Sequence, residues 1–288
     1  SAGFCYRLWP ASQRLEAMRR AEIQHSELTS LALELASWGS SDLPFVDAPP
    51  IGPWQAAKDL LRSLGALDAQ QSITPLGKKM LRLGTHPRLA AMLIATHTTQ
   101  EQALACDLAA LIEARDPLIN ARRDDWQSRW QALCDYRLKK PLQGASHSSL
   151  AMINTAAMQW RKRVQCESSV PSSIPAHFLG DILLHAFPER IAKQHDNDPL
   201  RYQLASGKMA RIHPDSTLYG EPWLCASELK FESKEALILR AAPIDLQRLH
   251  DDFPERFVEQ DIVRWDDKLN ALLARREVHF QNIVLSSQ

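Results

Sequence analysis

The 288-residue chain is 45% hydrophobic, which suits two or three compact domains, each with its own core. Its 34 Lys and Arg residues balance 34 Asp and Glu residues, so overall charge does not attract nucleic acid or an anionic membrane, and any such partner requires a local basic patch. No apolar stretch approaches the ~20 residues of a membrane helix. The 5 widely spaced cysteines, without a C-x-x-C pair, argue against a disulfide framework or a zinc ribbon. We therefore expect a protein of the reducing cytoplasm with no membrane contact.

Residues 1–25 predict a terminal strand followed by a linker. Residues 4–9 alternate in polarity as a strand does and are followed by Pro10, whereas residues 11–20 are charged and compatible with a helix. A single strand cannot bury itself, so we interpret residues 4–9 as the last strand of a sheet whose other strands precede this sequence. The start without Met or a basic leader also indicates a segment of a longer chain.

Residues 26–85 predict a winged-helix domain. Apolar residues recur at helical spacing over residues 26–39 and again over residues 54–65, and each of these two stretches ends in glycine. Two short apolar pairs around a polar turn predict a small hairpin over residues 66–74. The Thr-Pro pair that follows predicts the start of a third helix.

Residues 86–195 predict a helical bundle, because apolar residues recur at helical spacing in almost every window. A proline at the second residue of this stretch is typical of a helix start. Segments rich in Ser, Gly and Pro over residues 140–149 and 166–175 predict loops.

Residues 196–288 predict a small β-barrel of the OB type. Residues 202–212 read as a hairpin around a Ser-Gly turn, and a helix is predicted over residues 245–250. The other strand candidates are residues 223–226, 236–241, 262–265 and 278–285. Short strands in about 95 residues suit a small barrel and not a large enzyme sheet. The predicted fold class is therefore α+β, multidomain and mainly α: a winged helix, a helical bundle and an OB-like barrel.

The sequence lacks the usual catalytic motifs. It contains no G-x-x-x-x-G-K-[ST], G-x-G-x-x-G, H-E-x-x-H or G-x-S-x-G. No two of its ten histidines stand at i, i+4, and the neighbouring Asp124 and Asp125 point apart, so neither a zinc site nor a shared acid–base site is expected. Cys134 lacks a visible reason for a lowered pKa. We therefore assign no catalytic residue, no metal ligand and no cofactor, and a self-contained enzyme is disfavoured.

Positive charge is nevertheless concentrated locally and is interleaved with aromatic residues. Cationic side chains neutralise phosphates, and aromatic rings stack on bases, so these residues are candidates for binding single-stranded nucleic acid. The alternative is that the cations form the solvated faces of amphipathic helices and that Trp126, Trp130 and Trp160 are core. The candidate residues are Arg122, Arg123, Lys139, Lys140, Arg161, Lys162 and Arg163 in the bundle and Arg201, Lys208 and Arg211 in the barrel hairpin.

Several segments, in this domain order, resemble the C-terminal half of bacterial DEAH/RHA-type ATP-dependent helicases, most closely the HrpB group. They are GFCYRLW at residues 3–9, LALELASWG at 31–39, LGALD at 64–68 with ITPLG at 73–77, HPRLAAML at 86–93, AFPERIA at 186–192 with RYQLASG at 201–207, and VRWDD at 263–267. The LGALD and HPRL segments are shared by the DEAH class, and the last two segments point to the HrpB group.

The resemblance implies that residues 1–25 complete a second RecA-like domain and that residues 86–195 form a ratchet-like domain, which with the barrel closes over single-stranded nucleic acid. RNA is the expected substrate, and DNA stays open. In such helicases, two RecA-like domains bind ATP and Mg²⁺. Their phosphate-binding lysine, D-E-x-H and arginine motifs are absent from this sequence. We therefore expect no ATP hydrolysis by this segment alone, and the RecA-like domains of the same parent chain are expected partners.

A protein-docking module is the alternative from a different class. Winged helices and barrels also serve as docking surfaces, and a neutral net charge suits that function at least as well.

Overall fold

The structure, a computed structural model, describes residues 3–6, 8–10, 12–13, 21–39, 43–119, 123–171, 173–232, 235–266 and 270–287. The helices are α1 (Thr29–Trp38), α2 (Ile51–Ser63), α3 (Pro75–Arg82), α4 (Pro87–Ile94), α5 (Thr99–Glu113), α6 (Trp126–Arg137), α7 (His147–Arg163), α8 (Phe178–Leu183) and α9 (Leu246–Asp252). The strands are β1 (Ile191–His195), β2 (Asp198–Leu204), β3 (Met209–Arg211), β4 (Trp223–Phe231), β5 (Ala236–Pro243), β6 (Phe257–Asp266), β7 (Ala271–Phe280) and β8 (Ile283–Ser287).

The N-terminal unit follows the predicted pattern of two helices, a hairpin and a third helix. Leu67 bridges Ile73 across the predicted hairpin, and the Thr74 hydroxyl caps α3 by accepting a hydrogen bond from the Gly77 N–H at 3.0 Å. Apolar side chains of α1–α4 share one core, in which Leu61 is fully buried. Helix α2 begins at Ile51, earlier than predicted, because a proline in the first helical turn sacrifices no intrahelical hydrogen bond.

The described part of residues 4–9 forms no strand in this structure, so the predicted terminal strand stays a prediction. Residues 3–6 and 8–10 form no strand, and Phe4 and Leu8 are 95% and 94% exposed. A strand needs a hydrogen-bonded neighbour, and no described strand lies beside this segment. Residue 11 and residues 14–20 of the predicted helical stretch lie outside the described residues.

Helices α4–α8 form the predicted bundle around a core that includes Leu93, Leu108, Trp130 and Ile153, and the opposite side of α4 packs on the core of the N-terminal unit. The bundle ends earlier than predicted, because residues 191–195 form β1 and not a helix. Helix α8 ends at Leu183, a short 3-10 helix follows over Pro188–Arg190, and Ile191, the first residue of β1, packs into the bundle core. None of the described helices is long and apolar enough to cross a bilayer.

Five strands close a barrel in the order β1-β2-β3-β5-β4, with β1 pairing to β4. All neighbouring strands are antiparallel except β3 and β5. Alternate residues point inward, so Tyr202, Leu204, Ala210 and Ile238 fill the interior. The predicted hairpin over residues 202–212 is confirmed as β2–β3.

The prediction that residues 257–287 belong to the barrel is wrong. After α9, strands β6, β7 and β8 form a separate antiparallel sheet, in which β6 and β7 pair from Phe257↔Phe280 to Asp266↔Ala271. The reason is topological: once β1 pairs with β4, the barrel is closed, and further strands find no free edge to join.

Candidate nucleic-acid interface

Among the candidate cations, Arg161 is engaged inside the bundle. Its Nη2 donates to Asp107 Oδ1 at 2.8 Å, and Arg137 grips the same carboxylate with two hydrogen bonds of 2.6 and 2.7 Å. Asp107 is fully buried, so its charge requires these partners. Asp107, Arg137 and Arg161 form a triad that joins α5, α6 and α7, so Arg161 has a structural role.

The bundle tryptophans belong to the core, as the alternative reading of the sequence expected. Trp126, Trp130 and Trp160 are 3%, 0% and 8% exposed, so their rings offer no stacking surface for bases. Arg129, which lies between two of them in the sequence, is also buried and donates to Asp116 Oδ2 at 2.7 Å. The interleaving of cations and aromatic residues in α6 therefore reflects packing.

The remaining bundle cations face solvent but do not converge. Arg123 precedes α6, whereas Lys139 and Lys140 follow it, so a helix of about 18 Å separates them. Lys162 and Arg163 lie at the C-terminal end of α7, where cations complement the helix dipole. Arg163 also donates to the Leu83 carbonyl at 2.8 Å and covers the Trp160 ring. Arg122 lies outside the described residues.

The barrel brings two of its predicted cations side by side. Arg201 on β2 pairs in register with Arg211 on β3, and both side chains point outward because the neighbouring Tyr202 and Ala210 point inward. Each has an acidic partner: Arg201 forms an ion pair with Glu235, and Arg211 with Glu232 at 3.3 Å. The Arg211 pair is solvent-exposed, so it costs little to exchange the carboxylate for a phosphate.

Phe231 is a candidate residue that sequence reasoning missed. Its ring is 61% exposed at the end of β4, and Lys208 Nζ lies 4.8 Å from the ring centroid. An exposed aromatic ring beside cations is the arrangement that holds single strands by stacking and charge. The sequence feature that could have pointed to Phe231 is its position as an isolated aromatic residue between two charged residues, Lys230 and Glu232. Phe231 pairs in register with the buried Ala236, so Phe231 and Lys208 lie at the open end of the barrel, whereas Arg201 and Arg211 lie on its outer surface. We call Arg201, Lys208, Arg211 and Phe231 the barrel face.

A polar groove of about 560 Å³ lies along α6 and the loop before α7. Arg123 stands at its wall together with three amide side chains, those of Gln127, Gln131 and Gln143. Gln127 Oε1 is buried without a hydrogen-bond partner, which leaves an acceptor for a donor group. Asp135 lines the same groove, so the groove carries both signs of charge and attracts an anion less than the barrel face does.

Asp124 and Asp125 fix the barrel to the bundle. Asp124 accepts a hydrogen bond from the Ser216 hydroxyl at 2.5 Å, and Asp125 accepts one from Thr217 at 2.8 Å. A backbone hydrogen bond adds to this contact: the Ala241 N–H donates to the Asp124 carbonyl at 2.9 Å. Both carboxylates are therefore used in structure. Cys134 is no better placed for chemistry, because burial raises the pKa of its thiol to about 11.

Comparison with known proteins shows what the chain is similar to. The family "Helicase associated domain (HA2), winged-helix" matches residues 59–84. The chain is 31% identical over 282 residues to the ATP-dependent RNA helicase HrpB of Escherichia coli (strain K12), a match that covers 96% of this chain and 32% of the relative. The chain is homologous to the HrpB-type DEAH helicases. The resemblance predicted from the sequence is thereby confirmed, and the chain spans about a third of the length of this relative.

Two solved structures of HrpB support the same assignment. The E. coli DExH-box NTPase HrpB matches with a TM-score of 0.77 at 30% identity, over 96% of this chain and 32% of that one. A second crystal structure, of the Escherichia coli DEAH/RHA helicase HrpB, matches with a TM-score of 0.75 at 29% identity, over 94% of this chain and 32% of that one.

Two of the segments that resemble HrpB-type helicases meet in the fold. Arg88, from the HPRL segment, donates to both carboxylate oxygens of Glu189 at 2.5 and 3.1 Å and to the Ala186 carbonyl at 2.7 Å. The guanidinium groups of Arg88 and Arg190 both lie over the Phe187 ring, at 5.0 and 5.2 Å. Burial alone would raise the pKa of Glu189, but the nearby guanidinium groups lower it below its usual value. This clamp joins α4 to the segment that enters the barrel.

Proposed function

We propose that this chain is an accessory module of an ATP-dependent helicase, which holds single-stranded RNA and couples it to RecA-like motor domains. The observation that carries the proposal is the similarity to the RNA helicase HrpB along 96% of the chain. ATP and Mg²⁺ would bind in the motor domains, since this sequence has no phosphate-binding motif.

We place the main contact for the strand on the barrel face. The strand order β1-β2-β3-β5-β4 is the one expected of an OB-type barrel, whose β2–β3 surface is a frequent binding site for oligonucleotides. Arg201 and Arg211 lie on that surface, and Lys208 with Phe231 extends it. Lys162 and Arg163 at the end of α7 supply a second, smaller group of cations.

Coupling would pass through the winged helix. Movement of the motor domains would shift α1–α3, and the Arg88–Glu189 clamp would carry that shift to the start of the barrel. Because Arg88 also donates to the Ala186 backbone carbonyl, the contact has a fixed geometry, and a movement of α4 would move the backbone that leads into the barrel.

The first test is a fluorescence anisotropy titration of the chain with a short single-stranded RNA at several salt concentrations. We expect affinity to fall with salt, with a log–log slope of about 0.7 per phosphate contact. The double charge reversal Lys208→Glu with Arg211→Glu should weaken binding and reduce that slope by about 1.4. Lys78→Glu, which reverses an exposed lysine on α3, is the matched control and should change neither quantity.

Stacking is tested separately from charge. Phe231→Ala should cost about 1–3 kcal/mol of binding free energy at every salt concentration, whereas Tyr219→Ala, at an equally exposed aromatic residue of the barrel, should cost nothing. Undetectable binding, or binding that salt does not weaken, would contradict the proposal. Capture of a protein partner by a chain that binds no RNA would favour the docking module instead.

A further inference from the structure

Three metal-ligating side chains from distant parts of the sequence converge at one point. His97 lies in the loop between α4 and α5, His185 follows α8, and Asp252 is the last residue of α9. Their donor atoms all lie within 4.8 Å of one another. His97 Nε2 is 3.1 Å from Asp252 Oδ1, and His185 Nε2 is 3.0 Å from Asp252 Oδ2. Histidine spacing along the chain could not reveal this cluster.

One ligand position in the cluster is unused. The side chain of Asp252 is fully buried, yet its Oδ1 has no hydrogen-bond partner. The approach of His97 Nε2 to that oxygen does not have hydrogen-bond geometry, although it is close. A buried carboxylate oxygen without a donor is rare in native structures and indicates an ion or a water at that place.

The surrounding charges favour a cation. Arg248 Nε donates to the other oxygen, Asp252 Oδ2, at 2.7 Å, and Glu101 binds the same guanidinium at 2.9 and 3.3 Å. Glu101 also accepts the backbone N–H of His97 at 2.8 Å, which fixes the loop that carries this ligand. Two carboxylates against one guanidinium leave a net charge of −1 beside two imidazoles. Arg248 thus orients Asp252 as an outer partner of a metal ligand does.

We propose that His97 Nε2, His185 Nε2 and Asp252 Oδ1 bind a divalent transition metal ion of the zinc class, with water in the remaining position. Two imidazoles and one carboxylate are a donor set that suits Zn²⁺. Their donor atoms lie within 4.8 Å of one another, so small side-chain rotations would bring all three to bonds of about 2.0–2.2 Å from one ion. His97 is 54% exposed, so the ion has an entry path from solvent. The ion would tie the α4–α5 loop to α8 and α9, and this inference does not rest on the proposed RNA binding.

The test is a Co²⁺ and Zn²⁺ titration of the whole chain, made in a Cys5→Ser background to remove the exposed thiol. We expect one equivalent of Co²⁺ to give the visible absorption of a nitrogen- and oxygen-ligated site and Zn²⁺ to displace it. Each of His97→Gln and His185→Gln should weaken affinity about a hundredfold or more. His213→Gln is the control, because His213 is equally exposed and also lies near a carboxylate, Asp215.

A stability measurement provides a second readout. At a hundredfold excess of Zn²⁺ over its Kd, Tm should rise by about 5–10 °C in the parent chain and in His213→Gln, but not in His97→Gln. His97 is an exposed loop residue, so its variant should fold, and circular dichroism checks this. No bound Co²⁺ spectrum, or binding and Tm shifts that survive both His97→Gln and His185→Gln, would overturn the proposal and leave a hydrogen-bonded cluster only.

Discussion

Three arginines of the helical bundle form ion pairs with two carboxylates. Arg129 donates to Asp116, and Arg137 and Arg161 share Asp107. A buried or half-buried guanidinium group needs such a partner, because burying an unpaired charge is far more costly than burying an ion pair. A cationic residue in an amphipathic helix is thus a poor guide to a binding surface until its partner is known.

The Asp107 triad predicts a large stability effect from a change of one charge. Asp107→Asn keeps the side-chain volume but leaves Arg137 and Arg161 facing each other without an anion. We expect the free energy of unfolding to fall by about 3 kcal/mol, measured by urea denaturation. Glu228→Gln, at the exposed partner of Arg240, should cost less than about 1 kcal/mol. Similar losses in both variants would show that the triad adds no more than a surface pair.

The cysteines predict a pH-dependent labelling pattern. Burial raises the pKa of the Cys106 thiol to about 12 and that of Cys134 to about 11, and it raises the pKa of Cys225 further still. The reactive thiolate is therefore scarce at these three sites below about pH 10. We expect a maleimide at pH 8 to modify the exposed Cys5 in the native chain, with mass spectrometry showing no label on those three sites. Rapid labelling of Cys134 at pH 8 would contradict this account.

At the scale of elements, α8 packs against the end of β5 through a glycine. A Cβ at Gly180 would lie 1.8 Å from the Pro243 carbonyl oxygen and 2.8 Å from the Ile244 side chain. The backbone of α8 therefore approaches the strand more closely than any other residue type allows. This contact is one of the places where the bundle meets the barrel.

Gly180→Ala should separate these two elements. We expect a loss of about 3 kcal/mol in the free energy of unfolding, because a backbone carbonyl cannot move aside as a flexible side chain can. Gly52→Ala in α2 is the matched control: open space surrounds that position, and Ala favours a helix by up to about 1 kcal/mol. The measurement is again urea unfolding, and an equal effect of the two substitutions would refute the close packing.

Elements with strong local sequence signals were predictable, but the closure of the barrel by the pairing of β1 with β4 was not. The Thr74 cap and the hairpin at β2–β3 depend on neighbouring residues, so turn and capping rules locate them. The separation of β6–β8 from the barrel depends on β1 pairing with β4, whose Ile191↔Cys225 contact spans distant residues. The candidate site failed in the same way: Arg161 looked free because its partner, Asp107, lies two helices away in sequence.

Across the whole molecule the net charge is zero, but the charged side chains of the bundle and of the barrel differ in whether they are paired inside the protein or exposed to solvent. In the bundle, Arg129, Arg137 and Arg161 pair with internal carboxylates, whereas Lys208 and Arg211 remain exposed on the barrel. Arg88 and Glu189 form one link between α4 and the segment that enters the barrel, and Asp124 and Asp125 form another between the bundle and the barrel. Each link joins two units by charge-assisted hydrogen bonds, which suits units that move together as one accessory module.

The decisive measurement is the RNA-stimulated ATPase activity of the complete helicase to which we propose this chain belongs. Its rate would be measured with and without single-stranded RNA in the parent, in the Lys208→Glu with Arg211→Glu double variant, and in the Lys78→Glu control. We expect the double variant to keep the basal rate but to need at least about tenfold more RNA for half-maximal stimulation, because two phosphate contacts are lost. Unchanged stimulation by RNA in the double variant would contradict it.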